Sequence, residues 1–145
     1  MTIHMDADAL TRFMAREFPN VAGDLTVGNP NATGLTVSLT TGDQHLRPGG
    51  TVSGPTLFTL ADVAFYLLIL SRIGPEALTV TTNATINFMR KPAPGIIFGD
   101  ARILKQGKSL IVGDVLIYNG GDADRTTPVA QAQMTYSIPP TRGLS

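Results

Sequence analysis

The sequence predicts an α+β fold in which an antiparallel sheet wraps around one long helix. Three observations support this fold class. Residues Pro55 to Ile73 form a long apolar segment. Four later segments alternate apolar and polar residues with the period of two that is typical of strands. The links between those segments are short, and short links favour antiparallel neighbours because parallel strands need long crossover connections.

Length and composition indicate a single globular domain, which we expect to span residues 1–145. Of the 145 residues, 43% are apolar and 15% are charged, and the mean hydropathy is +0.14, values that exclude a disordered chain. Eleven basic residues balance eleven acidic ones. This balance argues against broad contact with nucleic acid or with an anionic membrane, and we expect neither as a partner.

Few residues are available for metal or redox chemistry. Without cysteine the chain has no disulfide, no thiolate metal site and no cysteine nucleophile. Its two histidines, His4 and His45, are too few for a His-rich metal site, so we predict no metal and no cofactor. The first residues, MTIHMDADAL, carry acids where a signal peptide has basic and then apolar residues. We therefore expect a cytoplasmic protein.

The first part of the chain predicts a helix and a hairpin. Asp6 is placed to cap a helix that Pro19 is expected to end, and its apolar positions are Leu10, Phe13, Met14 and Phe18. Two short segments that alternate apolar and polar residues then flank the turn residues Gly28-Asn29-Pro30-Asn31 and predict a hairpin. Their apolar residues are Leu25, Val27, Leu35, Val37 and Leu39. Thr41 to Ser53 is predicted to be a loop of the size that often carries function.

The long helix is predicted from Pro55 to Ile73, with Ser53 or Gly54 as its cap and Pro55 at its first position. Its apolar residues occur on every side, so we expect other parts of the protein to surround it. Asp62 lies near its middle, where a charge is costly in lipid. A buried core helix explains this segment better than a membrane span.

Four strands follow the long helix. They are predicted at Leu78 to Phe88, Ile96 to Leu104, Leu110 to Tyr118 and Val129 to Ile138. In the last strand Ala130, Ala132, Met134, Tyr136 and Ile138 alternate with polar residues. Because the links at 92–95, 106–108 and 119–122 are short, we expect each strand to lie beside the next one along the chain.

None of three known catalytic motifs has the required residues at the required spacing in this sequence. Gly107-Lys108-Ser109 resembles the end of a phosphate-binding P-loop, but the earlier glycine is replaced by Arg102. Residues 50–54 do not form the Gly-x-Ser-x-Gly nucleophile elbow, and the chain has no His-Glu-x-x-His zinc motif.

Two stretches carry a family resemblance. HLRPGGTVSGPTLFTLAD, from His45 to Asp62, and TVTTNATINFMRKPAPG, from Thr79 to Gly95, resemble the hotdog-fold acyl-CoA thioesterases of the 4-hydroxybenzoyl-CoA thioesterase superfamily, in particular the phenylacetate-pathway branch. In that branch a Gly-rich loop leads into a central helix that reads roughly N-x-x-G-x-x-H-G-G-x-x-x-x-L-A-D. The resemblance extends from about Thr36 to Ile138. It implies the hotdog fold, hydrolysis of an acyl-CoA, and homodimers or homotetramers with the site at the subunit interface.

The resemblance also implies roles for single residues. Asp62 matches the family's general base or nucleophile, Gly54 matches the glycine whose backbone N–H polarises the thioester carbonyl, and Thr81 matches a hydroxyl residue that helps to position water. Two positions of the predicted catalytic set depart from the pattern, because Arg47 replaces the usual Asn and Ser53 replaces the usual His.

The residues themselves suit this chemistry. A free N–H at a helix start can stabilise the oxyanion that develops on a thioester, and a thiolate leaves with little acid assistance, so one carboxylate can suffice. Asp62 has an alternative interpretation as a structural carboxylate bonded to a neighbouring loop. Arg47 and Ser53 leave open a non-catalytic acyl-CoA-binding or sensing module. A hotdog dehydratase is less favoured, because it needs an Asp and His pair that the sequence does not show.

The substrate-binding residues are predicted from charge and aromatic content. The segment from Arg90 to Lys108 contains five basic residues and one acid, Asp100. This excess of positive charge could bind the phosphates of CoA. From this group we predict Arg90, Lys91 and Lys108 as substrate contacts, with a solvated strand face as the alternative. Phe58 and Phe88 are predicted to line an acyl pocket, with plain core packing as the alternative.

Overall fold

The long apolar helix, α3 (Gly54–Ile73), packs against one face of a six-stranded antiparallel sheet, which confirms the predicted α+β class. The computed structural model describes residues 2–140. Met1 and residues 141–145, at the two ends of the predicted domain, lie outside the described residues. The core lies between α3 and the inner face of the sheet, where residues such as Leu60, Phe65 and Met134 are fully buried.

The N-terminal helix begins where the sequence predicts. α1 (Ala7–Glu17) is capped by Asp6, whose side chain accepts a hydrogen bond from the N–H of Ala9 at 2.9 Å. Pro19 does more than end this helix, because it also starts a four-residue helix, α2 (Pro19–Ala22). Proline is favoured at the first position of a helix, where its missing N–H has no partner to lose.

The strands lie in the order β1-β2-β4-β5-β6-β3. They are β1 (Leu25–Val27), β2 (Leu35–Thr40), β3 (Val80–Phe88), β4 (Ile96–Gln106), β5 (Leu110–Asn119) and β6 (Ala130–Ser137). The predicted hairpin is confirmed, since β1 and β2 pair antiparallel. β4, β5 and β6 are also neighbours in chain order, as expected.

The expectation that β3 lies beside β4 is wrong. β3 pairs with β6 at one edge of the sheet, whereas β4 lies between β2 and β5. Three strand spacings, about 14 Å, separate β3 from β4, and the seven residues between them can reach more than about 20 Å when extended. Backbone hydrogen bonds hold this link along its path. Val129 O accepts from the N–H of Met89 at 2.8 Å, and Pro92 O accepts from the N–H of Val52 at 3.2 Å.

α3 is mostly buried, but one stripe of it faces outward. Its first residue is Gly54, and Pro55 takes the second position. The outward stripe recurs with helical spacing and consists of exposed or half-buried residues: Pro55, Phe58, Thr59, Asp62 and Val63. The helix is long and apolar enough to cross a membrane by length and composition, yet most of it lies inside this fold. Within one chain it is therefore only partly surrounded, which differs from the expectation.

Candidate active site

Two hydroxyl groups hold the carboxylate of Asp62. Thr81 donates a hydrogen bond to Asp62 Oδ1 at 2.7 Å, and the Tyr136 hydroxyl lies 2.5 Å from the same oxygen. That hydroxyl is also 2.9 Å from the backbone carbonyl oxygen of Asp62. Asp62 Oδ2 accepts no hydrogen bond within residues 2–140. One carboxylate oxygen is fixed, and the other is free to act on a ligand.

Three elements bring these side chains together. Thr81 and Tyr136 are directly paired in the β3–β6 ladder, so their side chains emerge on the same face of the sheet, where α3 presents Asp62. Tyr136 is almost fully buried. Burial, reinforced by the neighbouring Asp62 charge, raises the pKa of Tyr136 well above its ordinary value. The phenol therefore remains protonated and can donate its hydrogen bond.

A cavity of about 380 Å³ opens beside Asp62. Asp62, Thr81 and Tyr136 form part of its lining, and the remainder is mostly apolar: Met14, Phe18, Val21, Val63, Tyr66, Ala77, Thr79 and Val80. The Tyr66 hydroxyl donates to the carbonyl oxygen of Ala77 at 3.3 Å. Burial, with a smaller contribution from the charge of Glu17, raises the pKa of Tyr66 to about 12. The carboxylate thus lies against a largely hydrocarbon surface.

The start of α3 leaves one N–H group without a partner. Pro55 has no N–H, the N–H of Thr56 is bound by Ser53 Oγ at 3.3 Å, and the N–H of Leu57 is bound by Ser53 O at 3.2 Å. Within the described residues the N–H of Gly54 donates no hydrogen bond. Because it lies at the positive end of the helix dipole, this N–H can stabilise a developing oxyanion.

A second cavity, also about 380 Å³, lies at this helix start. Gly54 and Phe88 line it, and a methyl group on Gly54 would lie 3.4 Å from the Phe88 ring. Three cations also line it, Arg47, Arg90 and Lys91, and no acidic residue does. The charge of this cavity suits an anionic ligand.

Ser53 serves the local structure of the helix start. Besides binding the N–H of Thr56, its hydroxyl lies 2.8 Å from the Thr56 hydroxyl. Ser53 and His45 line a third cavity, which does not include Asp62. His45 accepts a hydrogen bond from the N–H of Gly42 at Nδ1, 2.8 Å away. In residues 2–140, no group of three His, Cys, Asp or Glu side chains is arranged to hold a metal ion.

Comparison with known proteins places the chain in a family. The sequence model of the thioesterase superfamily matches residues 49–126, more than half of the chain. The chain belongs to the thioesterase superfamily. The matched region includes Gly54, Asp62 and Thr81, and membership supports thioester hydrolysis as the general class of activity.

Solved structures agree with this assignment. A candidate thioesterase from Silicibacter sp. TM1040 is 46% identical over 97% of this chain and 96% of its own, with a TM-score of 0.87. The PaaI protein from the phenylacetic acid degradation operon of E. coli is 23% identical over 92% and 93%, with a TM-score of 0.76. A hypothetical thioesterase from Streptococcus pneumoniae TIGR4, solved with coenzyme A, is 20% identical over 90% and 97%, with a TM-score of 0.74. No curated protein matches the sequence. The resemblance and the hotdog fold are confirmed.

In this thioesterase-superfamily chain the predicted catalytic residues lie in three places. Asp62 and Thr81 are together at the first cavity, Gly54 and Arg47 line the second, and Ser53 lines the third. Gly54 and Asp62 are eight residues apart on α3, which corresponds to about 12 Å along the helix axis. One chain therefore does not bring the helix-start N–H and the carboxylate together.

The predicted substrate-binding residues are also divided. Phe88, Arg90 and Lys91 line the second cavity, whereas Phe58 lies on the outward stripe of α3. Lys108 lies in the β4–β5 turn, at the end of the sheet where β3 begins rather than where it ends. The basic residues from 90 to 108 therefore do not form one patch within a single chain.

The sequence alone does not indicate Tyr136 or Tyr66 as site residues. In the sequence, Tyr136 is one of the apolar positions that alternate with polar residues in β6. A signal was present, because a phenol in an otherwise apolar buried row must find a polar partner. Identifying that partner as Asp62 requires the β3–β6 pairing, which joins residues far apart in the chain. Tyr66 follows Asp62 by one helical turn and resembles any other core aromatic in the sequence.

Proposed function

We propose that this protein hydrolyses an acyl-CoA thioester to the free acid and CoA. The observation that carries the proposal is the state of Asp62, whose Oδ1 is fixed by Thr81 and Tyr136 while Oδ2 is free beside an apolar cavity. The family assignment supports the reaction class, and the coenzyme A bound to the S. pneumoniae structure supports the choice of thiol.

We further propose that each site combines two chains in a homodimer. The N–H of Gly54 and the carboxylate of Asp62 cannot meet at one carbonyl within a chain, because about 12 Å of helix separates them. In the dimer the N–H of Gly54 from one protomer would lie near Asp62 of its partner. The family that this chain resembles forms dimers that join into tetramers. We therefore expect a homotetramer as the larger assembly.

The geometry of β3 supports a site shared between two copies. α3 and β3 run in opposite directions, because Gly54 lies against Phe88 at the end of β3 and Asp62 bonds to Thr81 near its start. β3 is also an edge strand, and an unpaired edge favours pairing with another chain. Antiparallel pairing of two β3 strands would set Thr81 of one chain near Phe88 of the other, and so bring Asp62 toward the partner's Gly54. Val80 and Phe88, now about half exposed, would be covered.

In the general-base route, Asp62 Oδ2 takes a proton from water while the water oxygen attacks the thioester carbonyl carbon. The carbonyl oxygen becomes an oxyanion and accepts a hydrogen bond from the partner's Gly54 N–H. Collapse of the intermediate breaks the C–S bond and releases the thiolate of CoA. A thiol pKa of about 8.5 makes this a good leaving group, and the thiolate takes the proton held by Asp62. Thr81 and Tyr136 act as positioning residues that keep Oδ1 in place.

In the nucleophilic route, Asp62 Oδ2 itself attacks the carbonyl carbon and expels the thiolate. The resulting mixed anhydride is hydrolysed by water, which regenerates the carboxylate. A single turnover in ¹⁸O-labelled water tests for the anhydride. Label in Asp62 shows an anhydride that water opens at the Asp62 carbonyl, whereas label only in the released acid fits both the general-base route and an anhydride opened at the acyl carbonyl. Rapid quenching and mass spectrometry then separate these two, because acylated Asp62 accumulates only in the nucleophilic route.

The second cavity is proposed to hold the phosphates of CoA. Arg47, Arg90 and Lys91 supply positive charge there without an acidic neighbour in the lining, and guanidinium groups bind phosphate through paired N–H donors. Lys108 lies near the start of β3, so the antiparallel dimer would bring it to the end of the sheet that carries the partner's Arg90.

The decisive test measures release of free thiol from a panel of acyl-CoAs. Asp62→Asn keeps an Oδ1 acceptor for Thr81 and Tyr136, so the fold should persist, but it removes the charged oxygen. We expect turnover to fall by about 100-fold or more, while acyl-CoA still binds. Asp124→Asn, at an exposed acid in the β5–β6 connection, is the matched control and should retain full turnover. Near-normal turnover by Asp62→Asn would remove Asp62 from the mechanism.

The same panel tests a second candidate function, a non-catalytic acyl-CoA-binding or sensing module. Arg47 and Ser53 favour it, because the hydroxyl of Ser53 is used to cap α3 and does not replace the histidine of the family pattern. A binding module would bind acyl-CoA in a calorimetric titration but release no thiol from any member of the panel.

A further inference from the structure

The cavity beside Asp62 extends toward the N-terminal helices. Tyr66 lies one helical turn beyond Asp62, about 6 Å along α3. The Phe18 ring meets the Tyr66 ring edge-on, with centroids 5.7 Å apart, and both residues line the cavity. Phe18 occupies the junction between α1 and α2. The aromatic pair therefore forms a wall on the side of the cavity that leads away from Asp62.

The polar atoms along this part of the cavity are occupied or covered. The Tyr66 hydroxyl donates to Ala77 O. Thr79 Oγ1 is buried and has no hydrogen-bond partner within residues 2–140. Beyond Asp62, Thr81 and Tyr136, the cavity thus offers mainly hydrocarbon to a ligand, and each buried CH₂ of an apolar ligand gains about 0.8 kcal/mol from leaving water.

We propose that this cavity binds the acyl group of the substrate, that the acyl group is an apolar chain of about six to ten carbons, and that Phe18 is the residue that limits its length. This inference rests on the proposed hydrolysis of acyl-CoA. A thioester carbonyl placed beside Asp62 directs its acyl chain into the same cavity. The volume of about 380 Å³ holds roughly a dozen groups of about 30 Å³, and part of it must take the carbonyl end.

Phe18 is a better length-limiting residue than Tyr66 because it can be truncated without opening the core. Phe18 is 39% exposed, whereas Tyr66 is only 7% exposed. Phe18 also follows the last turn of α1 and precedes a four-residue helix that has no side-chain cap. Removing its ring should extend the cavity toward the surface and leave α3 and the sheet in place.

The test compares kcat/KM for acetyl-, hexanoyl-, octanoyl-, dodecanoyl- and hexadecanoyl-CoA. The wild-type protein should prefer hexanoyl- or octanoyl-CoA. Phe18→Ala should raise the ratio of kcat/KM for dodecanoyl-CoA over octanoyl-CoA by at least about 10-fold, and Phe18→Leu by less. Phe98→Ala, which removes a half-buried phenylalanine that does not line this cavity, is the control and should leave the ratio unchanged.

Two further measurements keep the inference separable from the hydrolysis itself. Thermal unfolding shows whether Phe18→Ala is folded, and Phe18→Leu serves in its place if it is not. Calorimetric Kd values for the same acyl-CoAs, measured with Phe18 and with Phe18→Ala in the Asp62→Asn protein, should show the same shift with hydrolysis suppressed. An absence of thiol release would overturn the proposed reaction. The acyl-site inference would be overturned by an unchanged dodecanoyl-to-octanoyl ratio in both kcat/KM and Kd, or by a wild-type preference for acetyl-, dodecanoyl- or hexadecanoyl-CoA.

Discussion

The Tyr136 hydroxyl lies 2.5 Å from the carboxylate Oδ1 of Asp62 and 2.9 Å from its backbone carbonyl oxygen. The same group therefore fixes the side chain of Asp62 and ties α3 to β6 at that residue. Since burial raises the pKa of Tyr136 far above the physiological range, the proton stays on the phenol. A negative charge on Asp62 thus has a permanent donor beside one oxygen.

Tyr136→Phe tests this positioning role. The substitution keeps the ring but leaves Asp62 Oδ1 with Thr81 alone, so we expect kcat to fall about 10-fold, with KM changed much less. The free energy of unfolding should fall by about 1–2 kcal/mol, because a largely buried hydrogen bond is lost. Tyr118→Phe is the control. The Tyr118 hydroxyl makes no hydrogen bond within residues 2–140, so this variant should match the wild type in kcat and stability. A full kcat in Tyr136→Phe would show that Asp62 needs no second donor.

Ser53→Ala separates a catalytic role of Ser53 from a structural one. Loss of the helix cap should lower the free energy of unfolding by about 1 kcal/mol, with a small effect on kcat. Ser53→Asp restores a capping oxygen without a hydroxyl and should recover most of that stability in urea unfolding. If kcat collapses in both variants while stability holds, Ser53 takes part in the reaction directly.

The sequence predicts local structure well because the apolar pattern is local information. α3 begins one residue before the predicted Pro55 and ends at the predicted Ile73, and Asp6 and Ser53 act as helix caps. These features depend on residues close together in the chain, where spacing and capping chemistry act directly. The family motif likewise identifies Asp62 and Gly54 because both lie in one continuous stretch.

Strand order and the surroundings of Asp62 depend on contacts between distant residues. The pairing of β3 with β6 places Thr81 opposite Tyr136, and no local pattern specifies that pairing. The short link after β3 suggested the wrong neighbour, because link length limits how far two strands can be separated but does not require them to pair. The role of Tyr136 could therefore not be predicted before the sheet order was known.

Binding of CoA should weaken with salt. If Arg90 and Lys91 contact phosphates, Arg90→Ala and Lys91→Ala should each raise KM several-fold and change kcat less, and the increase should shrink as ionic strength screens the wild-type interaction. Arg12→Ala, at an exposed cation on α1, is the control. Equal KM values for all the variants across a salt series would identify Arg90 and Lys91 as a solvated surface.

Alkaline pH should destabilise the protein through Tyr66. Its pKa is raised from 10.0 to about 12 in the folded state, so between those values the unfolded chain releases the proton and the folded chain keeps it. The stabilising contribution is therefore complete below about pH 10 and is lost as the pH rises through 12. Urea unfolding at about pH 9 and about pH 11 should show a smaller loss of stability in Tyr66→Phe than in wild type. Equal losses would mean that Tyr66 titrates normally.

The most direct test of the central claim is complementation between two inactive variants. Asp62→Asn removes the carboxylate, and Gly54→Pro removes the free N–H at a helix position that proline favours. If each site takes Gly54 from one chain and Asp62 from the other, a heterodimer of the two variants contains one intact site and one doubly altered site.

We therefore predict that each variant alone releases little thiol from octanoyl-CoA. An equimolar mixture, unfolded and refolded together, should recover about a quarter of the wild-type rate, because about half of the dimers are mixed and each has one working site. Size-exclusion chromatography with light scattering verifies that the mixture is dimeric or tetrameric. A refolded mixture of that size that remains as inactive as the separate variants, beside an active wild-type control, would contradict a site shared between Asp62 and the partner's Gly54.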